Sequence, residues 1–138
     1  MGVLDTFEIG RQGLNVHSKR IQVAAKNIAN LDTPNYVRKI PVLNATEDIS
    51  FAGLLNTMKE DVFGIGTIPF ISGGVRVTGL VEDPTQGEKI YRPGHPDADE
   101  EGYIRMSNVN PMVDIADAVL AQRAYDASLG VMAIARTM

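Results

Sequence analysis

The first thirty residues carry apolar side chains at a seven-residue spacing. One heptad position holds Phe7, Leu14, Ile21 and Ile28, and the second holds Val3, Gly10, His17, Ala24 and Leu31. This spacing predicts an amphipathic α-helix that packs along a helical partner. A helix of about 25 residues is roughly 38 Å long at 1.5 Å per residue, so its partner must also be long.

The end of this helix is expected at Asn30. We predict that Asn30 adopts the left-handed conformation that closes a helix and that Leu31 folds back on the last turn. Pro34 then prevents the helix from continuing.

The pattern changes between residues 36 and 109 to short alternating runs separated by Gly and Pro. Strands are predicted at residues 75–77, 89–91 and 103–106, and they fit a small meander. Within this region, residues 48–61 have helical spacing and predict a short helix or a loop. Residues 44–74 form an insertion to which the sequence assigns no role.

A second long helix is predicted from Asn110 to Met138, because asparagine is a good N-cap and Pro111 suits the first helical position. It carries two apolar stripes. The first stripe contains Val113, Leu120, Ala124, Ala127, Val131, Ile134 and Met138, and the second contains Ala118, Ala121, Tyr125, Met132 and Ala135. A helix with one partner needs a single apolar stripe, so two stripes predict neighbours on two sides.

The two terminal helices can pair as an antiparallel hairpin that buries one stripe of each. We expect the second stripe, with Tyr125 and Met132, to remain in water in a single chain and to be covered by other chains. Leaving a large apolar side chain exposed forfeits about 1.5–3 kcal/mol. The chain is therefore predicted to self-associate, with terminal helices that stay weakly ordered until they meet their neighbours.

These elements predict an α+β fold in three segments. Residues 1–35 hold the N-terminal helix and its cap, residues 36–109 a small β-rich outer domain, and residues 110–138 the C-terminal helix. With 138 residues, 44% of them hydrophobic, the chain suits one ordinary domain, although its apolar residues lie mainly at the two ends.

Charge and composition exclude several classes of function. The formal net charge is −4 and the basic residues are scattered, which argues against a nucleic-acid partner or an anionic membrane surface. No run approaches the eighteen apolar residues of a membrane span, so membrane insertion is not expected. Asp5, Glu8 and Arg11 interrupt the first apolar segment, so a cleaved secretory signal of the usual design is not predicted.

The sequence offers no catalytic set. It has no cysteine, its serines lack a nucleophile-elbow context, and its glycines form no phosphate-binding pattern before a helix. The acidic turn after His95 could suggest a calcium site, but the EF-hand order of ligands is absent and Pro96 stiffens the turn. We therefore predict neither an enzyme nor a cofactor or metal site.

Several motifs resemble those of bacterial flagellar basal-body rod proteins. An N-terminal signature is followed by longer matches in the second half of the chain, in the order that the family has them. They are Lys26-Asn-Ile-Ala-Asn-Leu-Asp-Thr33, Tyr36-Val-Arg-Lys39, Val81-Glu-Asp-Pro84, Tyr91-Arg-Pro-Gly-His-Pro-Asp-Ala-Asp99, Glu101-Gly-Tyr-Ile104, Asn108-Val-Asn-Pro111 and Ala121-Gln-Arg-Ala-Tyr-Asp-Ala127. The Gly-His-Pro-Asp-Ala-Asp run and the short length are most similar to the proximal-rod subunits of this family.

The resemblance implies a structural subunit whose terminal helices pair in a coiled layer around the export channel, with the β-rich domain outside. It implies assembly with other rod subunits and copies of itself, contact with basal-body ring and export-gate components, and a place in the periplasm-spanning rod. It also implies export without a cleaved signal. Another flagellar rod subunit, or a soluble helical adaptor that binds one partner at a time, remains an alternative.

The predicted assembly interface combines the helix stripes with polar residues near them. We expect Asn27 to bond to a neighbouring subunit, and Arg123 to pair with Asp126 or with an acidic group of another chain. The full set is Phe7, Leu14, Ile21, Asn27, Ile28, Asn30, Leu31, Val113, Leu120, Arg123, Tyr125, Val131, Met132 and Ile134.

Overall fold

A computed structural model describes residues 3–48 and 72–138 of the chain. Two helices, one near each end, flank a small region of antiparallel strands, which is the predicted α+β arrangement. The helix or loop predicted at residues 48–61 and most of the insertion at residues 44–74 lie outside the described residues.

Helix α1 runs from Val3 to Ala29. Its last turn is closed by the Asn30 side chain, which donates from Nδ2 to the Lys26 carbonyl at 2.8 Å. Among the described residues, the one non-glycine residue with positive φ is Asn35, at 61°. The left-handed conformation predicted for Asn30 is therefore wrong. Its side-chain amide already bonds to the free carbonyl of Lys26, and the left-handed residue is Asn35, five positions later.

Helix α2 runs from Pro111 to Thr137 and begins as the sequence predicts. Asn110 is the N-cap, and its side chain accepts from the backbone N–H of Met112 at 3.1 Å and of Val113 at 3.5 Å. Proline at the first position costs no hydrogen bond there, and Asp114 in the first turn is favoured by the helix dipole.

The strands form two separate two-stranded sheets rather than one meander. Strand β1 is Lys39–Asp48 and pairs antiparallel with β2, Ser72–Glu82, with a bulge between Val42 and Leu43. Strand β3 is Lys89–Tyr91 and pairs antiparallel with β4, Tyr103–Arg105. The strands predicted in these segments are confirmed, but the six-residue link between β2 and β3 carries no ladder hydrogen bonds to join the two pairs.

Helix α1 lies between α2 and the β1–β2 ribbon. The best-buried apolar side chains of the described residues are Val16, Val23, Ala24, Ile104, Val109, Ala121 and Ala135. The heptad positions Phe7, Leu14, Ile21 and Ile28 are only half-buried. Because the ribbon covers a further side of α1, the deepest apolar contacts of the helix include Val16 and Val23, which the heptad pattern does not select, beside Ala24, which it does.

Candidate assembly interface

Asn27 is the centre of a buried polar junction and is 1% exposed. Its Nδ2 donates to the Lys39 carbonyl at 2.9 Å and to Asp114 Oδ1 at 3.0 Å. Its Oδ1 accepts from the Lys39 backbone N–H at 3.0 Å and from the Tyr36 hydroxyl at 3.1 Å. All four amide positions are thus used within the chain, which replaces the bond to a neighbouring subunit that we predicted for Asn27.

Arg38 joins the same junction through Asp114, whose side chain is 3% exposed. Arg38 Nε donates to Asp114 Oδ2 at 3.0 Å, and its guanidinium also lies 3.5 Å from Asp83 and 3.6 Å from Asp117. A buried carboxylate needs such pairing, because an isolated ion is costly to remove from water. Asp114 therefore fixes the start of α2 to both α1 and the segment before β1.

Asn108 connects the junction to the loop after β2. Its Oδ1 accepts from the Arg38 backbone N–H at 2.6 Å, and its Nδ2 donates to the carbonyls of Asp83 at 3.1 Å and Thr85 at 2.7 Å. The motifs quoted from the sequence thus meet in space. We call Asn27, Tyr36, Arg38, Asn108 and Asp114 the polar junction.

The electrostatic environment favours the charged form of Arg38 and the neutral form of Tyr36. Hydrogen bonding to Asp114 raises the pKa of Arg38, and burial, with a further contribution from Asp114, raises the pKa of the Tyr36 phenol. Hydrogen bonds from Thr85 lower the pKa of Asp83. Near neutral pH, Arg38 is therefore cationic and Tyr36 remains a hydroxyl donor to Asn27.

The seam between the helices is antiparallel and lined by small residues. At one end, a Cβ placed on Gly10 would lie 2.6 Å from Met132 Cγ; farther along, a Cβ on Gly13 would lie 3.4 Å from Ser128 Oγ. At the other end Asn27 meets Asp114. Ala121 is fully buried in α2. The second stripe of α2 is therefore the face that packs on α1, and Tyr125 and Met132 are half-buried rather than left in water.

The first stripe of α2 is the face that the chain leaves uncovered. Val113 is 44% exposed, Leu120 57%, Val131 54% and Ile134 58%. We call these four residues the α2 ridge. The prediction that the second stripe would remain in water is wrong, because the uncovered stripe is the first. The second stripe is rich in alanine and lets α1 approach closely, whereas the larger side chains of the ridge face outward.

The remaining predicted interface residues are divided between half-buried and exposed positions. Half-buried are Phe7, Leu14, Ile21, Ile28, Asn30, Leu31, Tyr125 and Met132, while Arg123 is exposed. Within the described part of the chain, Arg123 has no acidic group at salt-bridge distance, and Asp126 instead accepts from Gln122 at 3.2 Å. The intrachain pairing of Arg123 with Asp126 is therefore not formed.

Sequence reasoning gave no role to Arg38 or Asp114, although one signal for Asp114 is present. Asp114 stands four residues before Ala118 and so continues the second stripe toward the helix start. A charge on a face that is otherwise apolar must find a partner when that face is buried. The partner itself, Arg38, lies 76 residues away in sequence.

The acidic turn between β3 and β4 is held by its own backbone. Asp99 Oδ1 accepts from the backbone N–H of Tyr103 at 2.8 Å and of Glu101 at 3.1 Å. Over the residues that the structure describes, no three His, Asp or Glu side chains are placed to hold a metal ion. No helix among them is long and apolar enough to cross a membrane.

Comparison with known proteins points to one family. Residues 7–36 match the model described as "Flagella basal body rod protein", and residues 100–138 match "Flagellar basal body rod FlgEFG protein C-terminal". These two segments contain most of α1 and all of α2, together with β4.

Curated relatives match over nearly their whole length. The flagellar basal-body rod protein FlgC of Buchnera aphidicola subsp. Acyrthosiphon pisum is 30% identical over 138 residues, which cover 100% of this chain and 93% of the relative. FlgC of Yersinia enterocolitica is 31% identical, with 96% and 89% covered, and FlgC of Bacillus subtilis is 28% identical, with 96% and 90% covered. The resemblance seen in the motifs is thus confirmed, and the chain belongs to the FlgC family of flagellar basal-body rod proteins, as a structural subunit of the rod.

Proposed function

We propose that the chain polymerises with copies of itself and with other rod subunits by burying the α2 ridge, forming a rigid tube that transmits motor torque. The exposed ridge is the observation that carries this proposal. Its four side chains are 44–58% exposed along a 27-residue helix, although α1 covers the opposite face. Isolated apolar residues on a surface are ordinary, but a continuous row on one helix face indicates a protein interface.

The free energy available from this face is large enough to drive assembly. Completing the burial of a half-exposed Val, Leu or Ile contributes about 1 kcal/mol each, taking half of the full transfer value. Four such residues provide about 3–5 kcal/mol for each copy before the cost of association. The contribution repeats at every subunit of a polymer, so a modest interface is sufficient.

Stiffness is expected from the close approach of the two helices. A Cβ on Gly10 would lie 2.6 Å from Met132 Cγ, a Cβ on Gly13 would already contact Ser128 Oγ at 3.4 Å, and Ala121 is fully buried. Protein interiors packed in this way have low compressibility and transmit strain. A tube made of such pairs would pass rotation along its length with little deformation.

Membership of the rod family supports a proposal for the place of the subunit in the rod. We infer that it meets basal-body ring and export-gate components, acts structurally and not as an enzyme, and is exported without a cleaved signal. Glu8 and Arg11 form an ion pair at 2.6 Å in the first turns of α1, where a signal peptide would need an apolar core. Mass spectrometry of the chain recovered from basal bodies should find this segment retained; its removal would contradict the export route.

The test replaces one leucine of the ridge and a matched leucine elsewhere. Leu120 and Leu80 are 57% and 53% exposed, but Leu120 lies on α2 and Leu80 on β2. Leu120→Glu should keep the circular dichroism spectrum and lose sedimenting polymer, because a carboxylate cannot be buried in an apolar seam. In cells that lack the native subunit, Leu120→Glu should also fail to restore swimming.

The Leu80→Glu control adds the same charge at nearly the same exposure and should retain polymer and swimming. Wild-type-like assembly by Leu120→Glu would overturn the role of the ridge. Equal loss by both variants would show that the helix face is not the decisive surface.

A further inference from the structure

A basic groove lies between the first half of α1 and the β1–β2 ribbon. It has a volume of about 300 Å³ and is lined by Arg11, Lys19 and Arg76 together with Gln12 and Asn15. No acidic side chain is among its described lining residues. The groove lies on a different side of α1 from the helix seam, since it opens toward β2.

Two of the three cations have no carboxylate partner among the side chains that the structure describes. Arg11 is paired with Glu8, and this pair lowers the pKa of Glu8 to about 2. Lys19 and Arg76 are both exposed, and neither has an acidic group at salt-bridge distance among the described residues. The oxygen Oε1 of Gln12 is buried without a hydrogen-bond partner. The groove thus presents uncompensated positive charge.

The complementary surface is on the outer hairpin of the same chain. The turn between β3 and β4 carries four exposed carboxylates within five residues, Asp97, Asp99, Glu100 and Glu101. It is held in shape by the hydrogen bonds of Asp99 to the backbone. Beside the turn, Tyr91 is 61% exposed and packs edge to face with Tyr103, with 5.2 Å between the centres of the two rings. Aromatic faces beside carboxylates bind guanidinium and ammonium groups.

We propose that this acidic turn of one copy docks in the basic groove of a second copy. The proposal deepens the polymer proposed above and rests on it, since it names a second contact between copies. Charge complementarity selects the occupant: the groove is cationic in a chain of net charge −4, and the turn is its densest described run of exposed carboxylates.

The position of the two surfaces makes the contact heterologous. The β3–β4 hairpin lies beyond the end of α1, where the Asn35 N–H donates to the Arg105 carbonyl at 2.9 Å. From Lys19 to the end of α1 at Ala29, the helix rises about 15 Å at 1.5 Å per residue. Two different patches on one chain make a head-to-tail contact, which produces rings or open helical filaments instead of closed dimers.

The test uses two complementary charge-reversed chains. Lys19→Glu with Arg76→Glu makes the groove acidic, and Asp97→Lys with Glu100→Lys and Glu101→Lys makes the turn basic while keeping Asp99, which holds its shape. Each variant alone places like charges opposite each other, so its critical concentration for polymer should rise by at least about tenfold. An equimolar mixture of the two should assemble again, because each groove then meets a turn of opposite charge.

The matched control for the groove variant is Lys26→Glu with Lys39→Glu. It gives the same change in net charge at exposed positions outside the groove, and it should assemble like wild type. Circular dichroism of each variant checks that the fold is kept. Failure of the mixture to assemble, or unchanged assembly of either charge-reversed variant alone, would overturn the proposal. Both outcomes leave the Leu120→Glu result intact, so failure of this contact is distinguishable from failure of the α2 ridge.

Discussion

Replacement of Asn27 by alanine is the sharpest test of how the helices are held to the outer strands. The side chain is 1% exposed and makes four hydrogen bonds of 2.9–3.1 Å to three residues. Alanine removes all four and leaves the Lys39 backbone groups and one oxygen of Asp114 without their partner. Arg38 still pairs with the other oxygen of Asp114, so the carboxylate is not isolated.

The expected loss is about 3–5 kcal/mol, taking about 0.5–1 kcal/mol for each of the four hydrogen bonds and about 1 kcal/mol more for the buried groups left unpaired. For a chain of 138 residues this corresponds to a decrease in Tm of roughly 10–17 °C. Asn27→Asp should be at least as damaging, because it places a second carboxylate where Nδ2 lies 3.0 Å from Asp114 Oδ1.

The assay is thermal and urea unfolding of the dilute chain, followed by circular dichroism at the helix band. Asn15→Ala is the control, because Asn15 is exposed on the same helix and its loss should change stability by no more than about 0.5 kcal/mol. A loss below about 1 kcal/mol for Asn27→Ala, or equal losses for both variants, would refute the reading of Asn27 as the centre of the polar junction.

Three further predictions concern packing, pH and order. Gly130→Ala should stabilise the chain by about 0.5–1 kcal/mol, since no atom lies within contact distance of the added Cβ. Gly10→Ala should be less stable than Gly130→Ala by about 1–3 kcal/mol in urea unfolding, because its Cβ meets the side chain of Met132. Burial, with a contribution from Arg20, lowers the pKa of His17 from 6.5, so the stability that neutral His17 contributes is present above pH 6.5 and is lost as the pH falls. His17→Gln should therefore flatten the dependence of unfolding free energy on pH, and equal pH profiles for the two chains would contradict this prediction. Amide exchange should find residues 3–31 and 110–138 better protected after assembly than in the dilute chain. Equal protection of these residues in a proven monomer and in the polymer would count against burial of the α2 ridge by partners.

The sequence by itself predicted the local structure of the terminal segments well. Heptad spacing predicted α1, and Asn110 with Pro111 predicted the start of α2, because periodicity and capping act over a few neighbouring residues. The strands around Tyr91 and Tyr103 were also predictable from alternation. The family motifs identified a rod subunit, although they gave no reason why those residues are needed together.

The tertiary structure decided which faces are buried and which residues meet. Asn27 and Asp114 are 87 residues apart, so no local pattern indicates their contact. We predicted that Tyr125 and Met132 would remain in water because the helix has two apolar stripes, but small residues such as Gly10 and Ala121 determine where two helices can approach. The second stripe of α2 therefore packs inside, and the larger apolar residues of the α2 ridge remain available to another subunit.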